Sequence, residues 1–314
     1  MLSIIIPIKN EEENIVPLFT ELESVLVSLN TDKEVVLIDD GSDDQTGAKI
    51  KDIIREKSFA KLISFRKNFG QTAAISAGID NARGDIIILM DGDQQNDPHD
   101  IPKLIDKLNE GFDVVSGWRK DRQDKLWTRK IPSWLANYLI SRITRVPLHD
   151  YGCTLKAYRA EVLKNTRLYG EMHRFIPAYA SWYGAKITEI AVNHRPRIHG
   201  QTKYNLYRTF KVLLDLIVVK FLSKYSDKPI HFFGKIGFWS LFFSFFAGLF
   251  TLYLKFFEHK SFISTPMPLL TVVLAIIGLQ FILMGLLAEI MTRIYFECNN
   301  KKVYLVKEKV NFDN

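Results

Sequence analysis

Cysteine is scarce: Cys153 and Cys298 are the only two in 314 residues. A disulfide framework is not expected, which fits a reducing compartment. No secretory leader is expected either. Residues 1–6 are too short for an apolar h-region, carry no basic segment and run straight into Pro7. The soluble part is therefore expected to stay in the cytoplasm. There is no acidic excess: 42 Lys and Arg face 35 Asp and Glu, a net charge of +7. A basic balance suits nucleic acid, an anionic membrane surface or an anionic substrate. No recognisable nucleic-acid-binding motif occurs, so no nucleic-acid partner is expected.

Charge is also sparse in one stretch. Residues 232–290 are strongly apolar and rich in Phe and Leu, whereas 1–230 mix charged and apolar residues as a soluble domain does. Residues 236–257 hold one charge, Lys255, and residues 268–288 hold none. Each run has the roughly 20 residues needed to cross a hydrocarbon core of about 30 Å. Two buried core helices are the competing reading. It fails because too little amphipathic chain remains to cover two helices that are apolar all round. The short connection 258–267 makes the pair a hairpin. Lys224, Lys228 and Lys235 precede it, Arg293, Lys301, Lys302, Lys307 and Lys309 follow it, and the connection has only Lys260. The positive-inside rule puts both ends in the cytoplasm. Residues 204–225 read as an interfacial amphipathic helix leading into the first span. Residues 126–146, with Trp127, Trp134 and Tyr138 among Arg129, Lys130, Arg142 and Arg145, fit either a membrane-surface helix or one packed on the domain.

Leu2–Ile8 is apolar without helical period and reads as a buried strand. Residues 35–38, 62–65, 86–90 and 114–116 read the same way, with helical patterns near 12–29, 45–57, 71–82 and 99–110 between them. Such alternation predicts an α/β domain with a mostly parallel, Rossmann-like sheet. Ligands then bind at the carboxyl ends of the strands, and polar residues cluster there.

Asp91-Gly92-Asp93 follows the strand 86–90. Two carboxylates one residue apart can share one hard cation, Mg²⁺ or Mn²⁺, and leave positions for substrate phosphates. Gln95 can add a carbonyl oxygen. Asp-x-Asp alone also occurs in solvated turns; the strand end is what favours a ligand site. Asp39 and Asp40 follow the second strand and can accept hydrogen bonds from a nucleobase or ribose, with Ser42 or Asp43 as helix cap. Asn10 and Glu11 follow the first strand, where Asn10 can cap a helix beginning near Glu11. Arg66 and Asn68 follow the third strand and Arg119 the fifth; arginines there suit a diphosphate. Arg195, Arg197, His199 and Lys203 crowd one stretch ahead of the membrane-proximal segment. This reads either as a solvated basic loop or as the place where a lipid phosphate docks. His173 and Arg174 are weaker candidates, equally explained by a capped core helix.

In order along the chain, Pro7-x-x-Asn10-Glu11, Ile38-Asp39-Asp40-Gly41-Ser42-x-Asp44-x-Thr46, Arg66-x-Asn68-x-Gly70 and Asp91-Gly92-Asp93-x-Gln95-x-x-Pro98 resemble the inverting family 2 glycosyltransferases of the GT-A fold. Asp150-Tyr151-Gly152-Cys153, the run from Glu171 to Pro177 and that from Arg195 to Tyr204 are similar to the polyprenyl-phosphate branch. That branch includes dolichol-phosphate mannose synthases and bactoprenol glucosyltransferases, and the latter have a similar hairpin. Cys153-Thr154 departs from the Gly-Gly or Gly-Phe often found there.

The resemblance implies roles. Pro7, Asn10, Glu11, Asp39, Asp40, Arg66, Asp91 and Arg119 would bind the nucleotide-sugar, UDP-glucose being the expected donor. Asp91, Asp93 and Gln95 would hold the metal, with Asp93 and Asp150 as catalytic residues. Arg195, Arg197 and Lys203 would bind the acceptor phosphate. Asp150 matches the family's base position. A phosphate with a second pKa near ~6 is already ionised at neutral pH, so Asp150 would orient more than deprotonate. The expected organisation is a cytoplasmic GT-A catalytic domain over 1–203, an interfacial helix over 204–230, a transmembrane hairpin over 231–292 and a cytoplasmic tail over 293–314. Expected partners are a nucleotide-sugar, a polyprenyl phosphate and the membrane, with self-association left open. Two rivals are a processive polysaccharide synthase, which would carry Gln-x-x-Arg-Trp, absent here, and a membrane scaffold with a degenerate transferase domain. Intact Asp91 and Asp93 speak against the scaffold.

Overall fold

The computed structural model describes residues 1–29, 31–120, 131–164, 168, 172–196, 229–297 and 306–311. The chain divides into two units, Met1–Val219 with Lys302–Asn314, and Lys220–Lys301.

The first unit is built on an eight-stranded sheet. Its strands are β1 (Leu2–Ile8), β2 (Lys33–Asp39), β3 (Ala60–Phe65), β4 (Ile86–Leu89), β5 (Val114–Trp118), β6 (Lys156–Arg159), β7 (Ile187–Ala191) and β8 (Val306–Val310). They lie in the order β7-β5-β6-β4-β1-β2-β3-β8. The pairs β1–β2, β1–β4, β2–β3 and β5–β7 are parallel; β6 is antiparallel to β4 and β5. The intervening helices are α1 (Ile15–Ser28), α2 (Thr46–Glu56), α3 (Gln71–Asn81), α4 (Ile101–Asn109), α5 (Ile131–Thr144), α6 (Ala160–Lys164) and α7 (Ile176–Trp182).

Strand periodicity explains the two cores. Ile4, Ile6 and Ile8 of β1 pack with Leu18 and Leu22 of α1, Ile50 of α2 and Leu104 of α4. Ile5 faces the other way, among Ala73, Ala74 and Ala77 of α3 and Ile176 of α7. Both faces are covered, so the strands read as unbroken apolar runs. Burying each Ile or Leu contributes about 1.5–3 kcal/mol, which fixes strand register. A third cluster sets Ile140 of α5 against Tyr151, Phe175 and Tyr179. The described second half of α5 therefore packs on the domain, the second of the two readings, while Tyr138 stays half exposed. The expected interfacial helix over 204–225 lies outside the described residues.

One element departs from expectation. The segment read as a tail contains β8, antiparallel to β3 with Leu62 opposite Val310 and Ser64 opposite Glu308. Lys51 Nζ meets Glu308 Oε2 at 2.5 Å, and the Asn311 amide donates to Ser58 O and Ala60 O at 2.7 and 2.9 Å. Val-Lys-Glu-Lys-Val has a strand's alternation, but charge dominates it, as is common on sheet edges.

The second unit contains α8 (Ile230–Phe256) and α9 (Met267–Glu297). Both are long and apolar enough to cross a membrane, and only 22% and 11% of their most apolar windows are buried. That exposure is unlike the mostly buried core helix of a soluble unit. α8 begins before the apolar run at 236–257, and α9 continues past the run at 268–288. They pack through small and hydroxyl residues. Ser240 donates to Leu274 O and Ser244 to Thr271 O, both at 2.7 Å. A Cβ on Gly237 would lie 2.7 Å from Gly278 O, so the backbones meet where side chains are absent.

Candidate active site

The first two strand ends are tied to each other by the residues expected to bind nucleotide. Asn10 takes a left-handed conformation (φ 55°). Its N–H donates to Ser42 Oγ at 3.0 Å and its Oδ1 accepts the Asp43 N–H at 3.0 Å. It does not cap α1, which starts at Ile15 after Asn14; nor do Ser42 and Asp43 cap α2, which follows Gln45. Asp44 instead receives the Thr46 N–H at 3.0 Å. These side chains bridge loops because two parallel strands deliver them side by side, with Ile8 opposite Asp39. Glu11 accepts from the Asn14 amide at 2.5 Å. Pro7 is half-buried and Arg66 exposed.

The paired carboxylates Asp39 and Asp40 have different uses. Asp40 is buried and accepts three hydrogen bonds from the third loop: Asn68 Nδ2 at 2.9 Å, Phe69 N at 2.7 Å and Gly70 N at 2.9 Å. Burial pushes its carboxyl above the ordinary value, and the Phe69 and Gly70 N–H groups work against that rise. Gly41 (φ +66°) allows this approach, since a Cβ there would stand 2.5 Å from the Lys67 carbonyl carbon. Asp40 thus organises the Asn68–Gly70 turn. Asp39 receives the Ser42 N–H on Oδ1 at 2.9 Å. Of the two, its carboxylate has more capacity left for a ligand.

Beyond β4, Asp91 accepts from Gln71 Nε2 on one oxygen at 2.8 Å and from the Thr154 hydroxyl on the other at 2.7 Å. Asn96 Oδ1 receives the Asp91 N–H at 3.2 Å. Asp93 is buried and takes the Gln95 N–H at 3.2 Å. Burial and then the charge of Asp93 push the Asp91 carboxyl up to about 6, against the pull of Thr154, Arg119 and Lys156. Two carboxylates that repel each other at a strand end are a setting in which a cation could be accommodated. With Gln95 the donors are all oxygen, which fits Mg²⁺ or Mn²⁺. Gln71, Thr154 and Asn96 carry no motif of their own. Thr154 stands where the sequence departs from the family pattern, and that departure was the available signal.

Arg119 and Asp150 form a bidentate pair, Nε–Oδ2 2.6 Å and Nη2–Oδ1 3.0 Å. Burial opposes the guanidinium's charge, but the Asp150 contacts more than offset it, so Arg119 is held fully charged. Gly152 N–H also donates to Asp150 Oδ1 at 3.0 Å. The preceding residues are paired too: the Trp118 and His149 rings stack at 4.5 Å. Glu189 of β7 receives the His149 N–H at 2.8 Å and contacts its Nδ1. Below them lies buried Lys156, whose ammonium donates to the carbonyls of Tyr151 and Cys153. Burial lowers its pKa, and the charges of Asp150 and Asp91 draw it back up. The Cys153 thiol is pushed up to about 11 by burial and is chemically quiet.

Arg195 goes elsewhere. Its guanidinium grips both oxygens of Glu21 at 2.8 and 2.7 Å and sits 2.9 Å from Asp97 Oδ1. Its guanidinium is thus already engaged by two carboxylates, which its place in the basic run did not show. Arg197 and Lys203 lie outside the described residues. His173 is buried, with Nδ1 2.7 Å from the Thr72 hydroxyl.

Residues 3–167 match the family described as glycosyl transferase family 2. A dodecaprenyl-phosphate galacturonate synthase from Rhizobium johnstonii is 45% identical, covering 98% of this chain and 92% of that protein. An undecaprenyl-phosphate 4-deoxy-4-formamido-L-arabinose transferase from Pseudomonas aeruginosa is 33% identical over 99% of this chain and 90% of its own. Among solved structures, glucosyl-3-phosphoglycerate synthase from Mycobacterium tuberculosis, in complex with Mn²⁺ and UDP-glucose, superposes with a TM-score of 0.55 at 18% identity. The superposition covers 71% of this chain and 78% of that one, and it shows the GT-A fold.

Proposed function

The chain belongs to glycosyl transferase family 2, and on that basis we propose that it transfers a glycosyl group from a nucleotide-sugar to a polyprenyl phosphate at a membrane surface. The observation that carries this reading is the joint presence, in one chain, of the Asp91–Asp93 turn, with Asp91 held by Gln71 and Thr154, and two helices long and apolar enough to cross a membrane. The full-length likeness to two polyprenyl-phosphate transferases supports the acceptor. The expected glucosyl donor has no counterpart in the names of those relatives. A uronosyl donor, the group named in the 45% identical relative, is the first to test.

In this reading Asp39, with Glu11 and Pro7, faces the nucleoside. Asp91, Asp93 and Gln95 would hold a divalent cation, which would supply Lewis-acid charge for the departing diphosphate. Arg119 adds a fixed positive charge beside it, aimed by Asp150. An acceptor phosphate oxygen forms the new bond to the anomeric carbon as the bond to the diphosphate breaks, inverting that centre. The nucleophile arrives ionised, so no base is required. Arg197 and Lys203 supply the acceptor's counter-charge. Both ends of the hairpin face the cytoplasm.

The test is a donor panel of UDP-glucose, UDP-galacturonate and UDP-4-deoxy-4-formamido-arabinose, with undecaprenyl phosphate and Mn²⁺, products identified by mass spectrometry. A lipid-linked sugar from one donor supports the proposal. Donor hydrolysis without lipid product, or polymer formation, overturns it.

A further inference from the structure

Residues 192–195 form a strap beside the turn that follows Asp93, fastened at every step. Val192 N–H donates to Trp118 O at 3.0 Å. Asn193 N–H donates to Asp100 Oδ2 at 2.6 Å, and its amide reaches Asp97 Oδ2 at 3.4 Å. His194 bridges Asn96 in antiparallel fashion, and Arg195 N–H donates to Gln95 O at 3.0 Å. The Arg195 guanidinium then closes the strap on Asp97 and on Glu21, which projects from α1. One side chain thus joins a helix, the turn after Asp93 and the strap.

Ligand atoms of Glu21, Asp97 and His99 lie within 4.8 Å of one another, a spacing that would suit a cation. The guanidinium already supplies the positive charge there, so this trio is an ion-pair node and not a second metal centre. The contacts are partly shielded: the side chains of Arg195, Glu21 and Asp97 are 35%, 23% and 12% exposed. Only arginine offers a planar fork that can hold one carboxylate with two N–H groups and place a remaining N–H toward a second. Asp97 stands four residues from Asp93 and two from Gln95, so fixing it limits how far that turn can move.

We propose that Arg195, with Glu21 as its anchor, is a positioning residue for the turn that carries Asp93 and Gln95, and not an acceptor ligand. The inference rests on the metal assignment made above. Its function would be to preset the oxygen ligands, so that cation binding incurs little loop ordering.

The experiment titrates the full-length protein in detergent with Mn²⁺ alone and reads free ion by electron paramagnetic resonance. Variants are R195A, E21A, E21Q and the double E21A/R195A. Melting temperature and the KM for undecaprenyl phosphate are measured alongside. R195A and E21A should each weaken Mn²⁺ binding by about 10-fold, the scale of one charge-assisted contact. The double variant should be no weaker than either single one. E21Q, which keeps an acceptor but loses charge, should fall between wild type and E21A and gives a reading if E21A does not fold. Unchanged Mn²⁺ affinity in R195A with a raised KM for the lipid would overturn the proposal and make Arg195 a phosphate ligand. Additive losses in the double variant would also overturn it. Undiminished Mn²⁺ binding in D91N would instead refute the metal assignment on which it rests.

Discussion

Asp150 holds Arg119 with both carboxylate oxygens, at 2.6 and 3.0 Å, and accepts the Gly152 N–H as well. A carboxylate so engaged is poorly placed to remove a proton and well placed to aim a guanidinium. D150N should therefore lower kcat/KM by about 10- to 100-fold, the scale of one charge-assisted hydrogen bond lost. The acidic limb of the pH–rate profile should not move. A base would behave differently: its loss would remove that limb. Steady-state rates of wild type and D150N across pH 5–9 decide between the two.

Asp91 is held on both oxygens by neutral side chains, Gln71 and Thr154. D91N and D93N should abolish detectable Mn²⁺ binding and transfer while the melting temperature stays near wild type or rises, because carboxylate repulsion is relieved. T154V and Q71A should weaken Mn²⁺ by about 10-fold each, the cost of one hydrogen bond to an ionised carboxylate of roughly 1.5 kcal/mol. Calorimetry with Mn²⁺ and a chelator control checks both. Full transfer in chelator would end the metal reading.

A buried ion pair far from the site predicts pH dependence of stability. Glu34 meets Lys61 Nζ at 2.7 Å, Ser3 Oγ at 2.5 Å and the Arg83 N–H at 2.6 Å. Burial raises its carboxyl, but the Arg83 N–H, Lys61 and Ser3 together outweigh that and hold it below the ordinary value. A depressed acid contributes stability above its unfolded pKa of about 4.3 and loses it as pH falls through the folded one. Wild type should thus lose melting temperature between about pH 5 and 3. E34Q should start lower at pH 7 and show a flatter decline. Parallel curves for the two proteins would remove Glu34 from the account.

How far the sequence reached follows from what each segment must satisfy. Leu2–Ile8 is legible because both faces of a central parallel strand need apolar residues. Val-Lys-Glu-Lys-Val is not legible, because an edge strand tolerates charge and its partner β3 lies far back in the chain. Asp91 and Asp93 stood out because spacing and strand end coincide. Asp40 and Arg195 have partners that the sequence did not show, for one reason. Charge and position place a side chain near a site, but only the folded loops decide that Asp40 meets Asn68, Phe69 and Gly70 and that Arg195 meets Glu21. Helix starts were shifted for a similar cause: Asn10, Ser42 and Asp43 cross-link two loops and do not cap their own helices.

The hairpin's packing gives a steric prediction. A Cβ at Gly237 would fall 2.7 Å from Gly278 O and 2.7 Å from Ile282 Cγ1. G237L must push α8 and α9 apart, breaking the Ser240–Leu274 and Ser244–Thr271 contacts together. It should lower the detergent melting temperature markedly, whereas S240A should cost only about 0.6 kcal/mol. Equal effects of the two would mean the backbones are not in contact.

The return of the chain to its first sheet predicts topology. β8 pairs with β3 inside the unit that holds Asp91 and Asp93, and the hairpin lies between that unit's two chain segments. A sheet cannot be completed across a bilayer, so the chain must cross an even number of times. The lysines agree, flanking the hairpin and leaving only Lys260 in its loop. In a protein lacking Cys153 and Cys298, a cysteine at Ser261 should react with an impermeant maleimide on intact cells. A cysteine at exposed Lys309 should react only after permeabilisation. Removal of residues 306–314 should lower the melting temperature of the sheet-containing unit, because Leu62 and Ile63 lose their edge partner. Labelling of positions 261 and 309 from the same side would refute two crossings. Unchanged stability after the truncation would mean that β8 does not close the sheet in solution, and the even-crossing argument would fall with it.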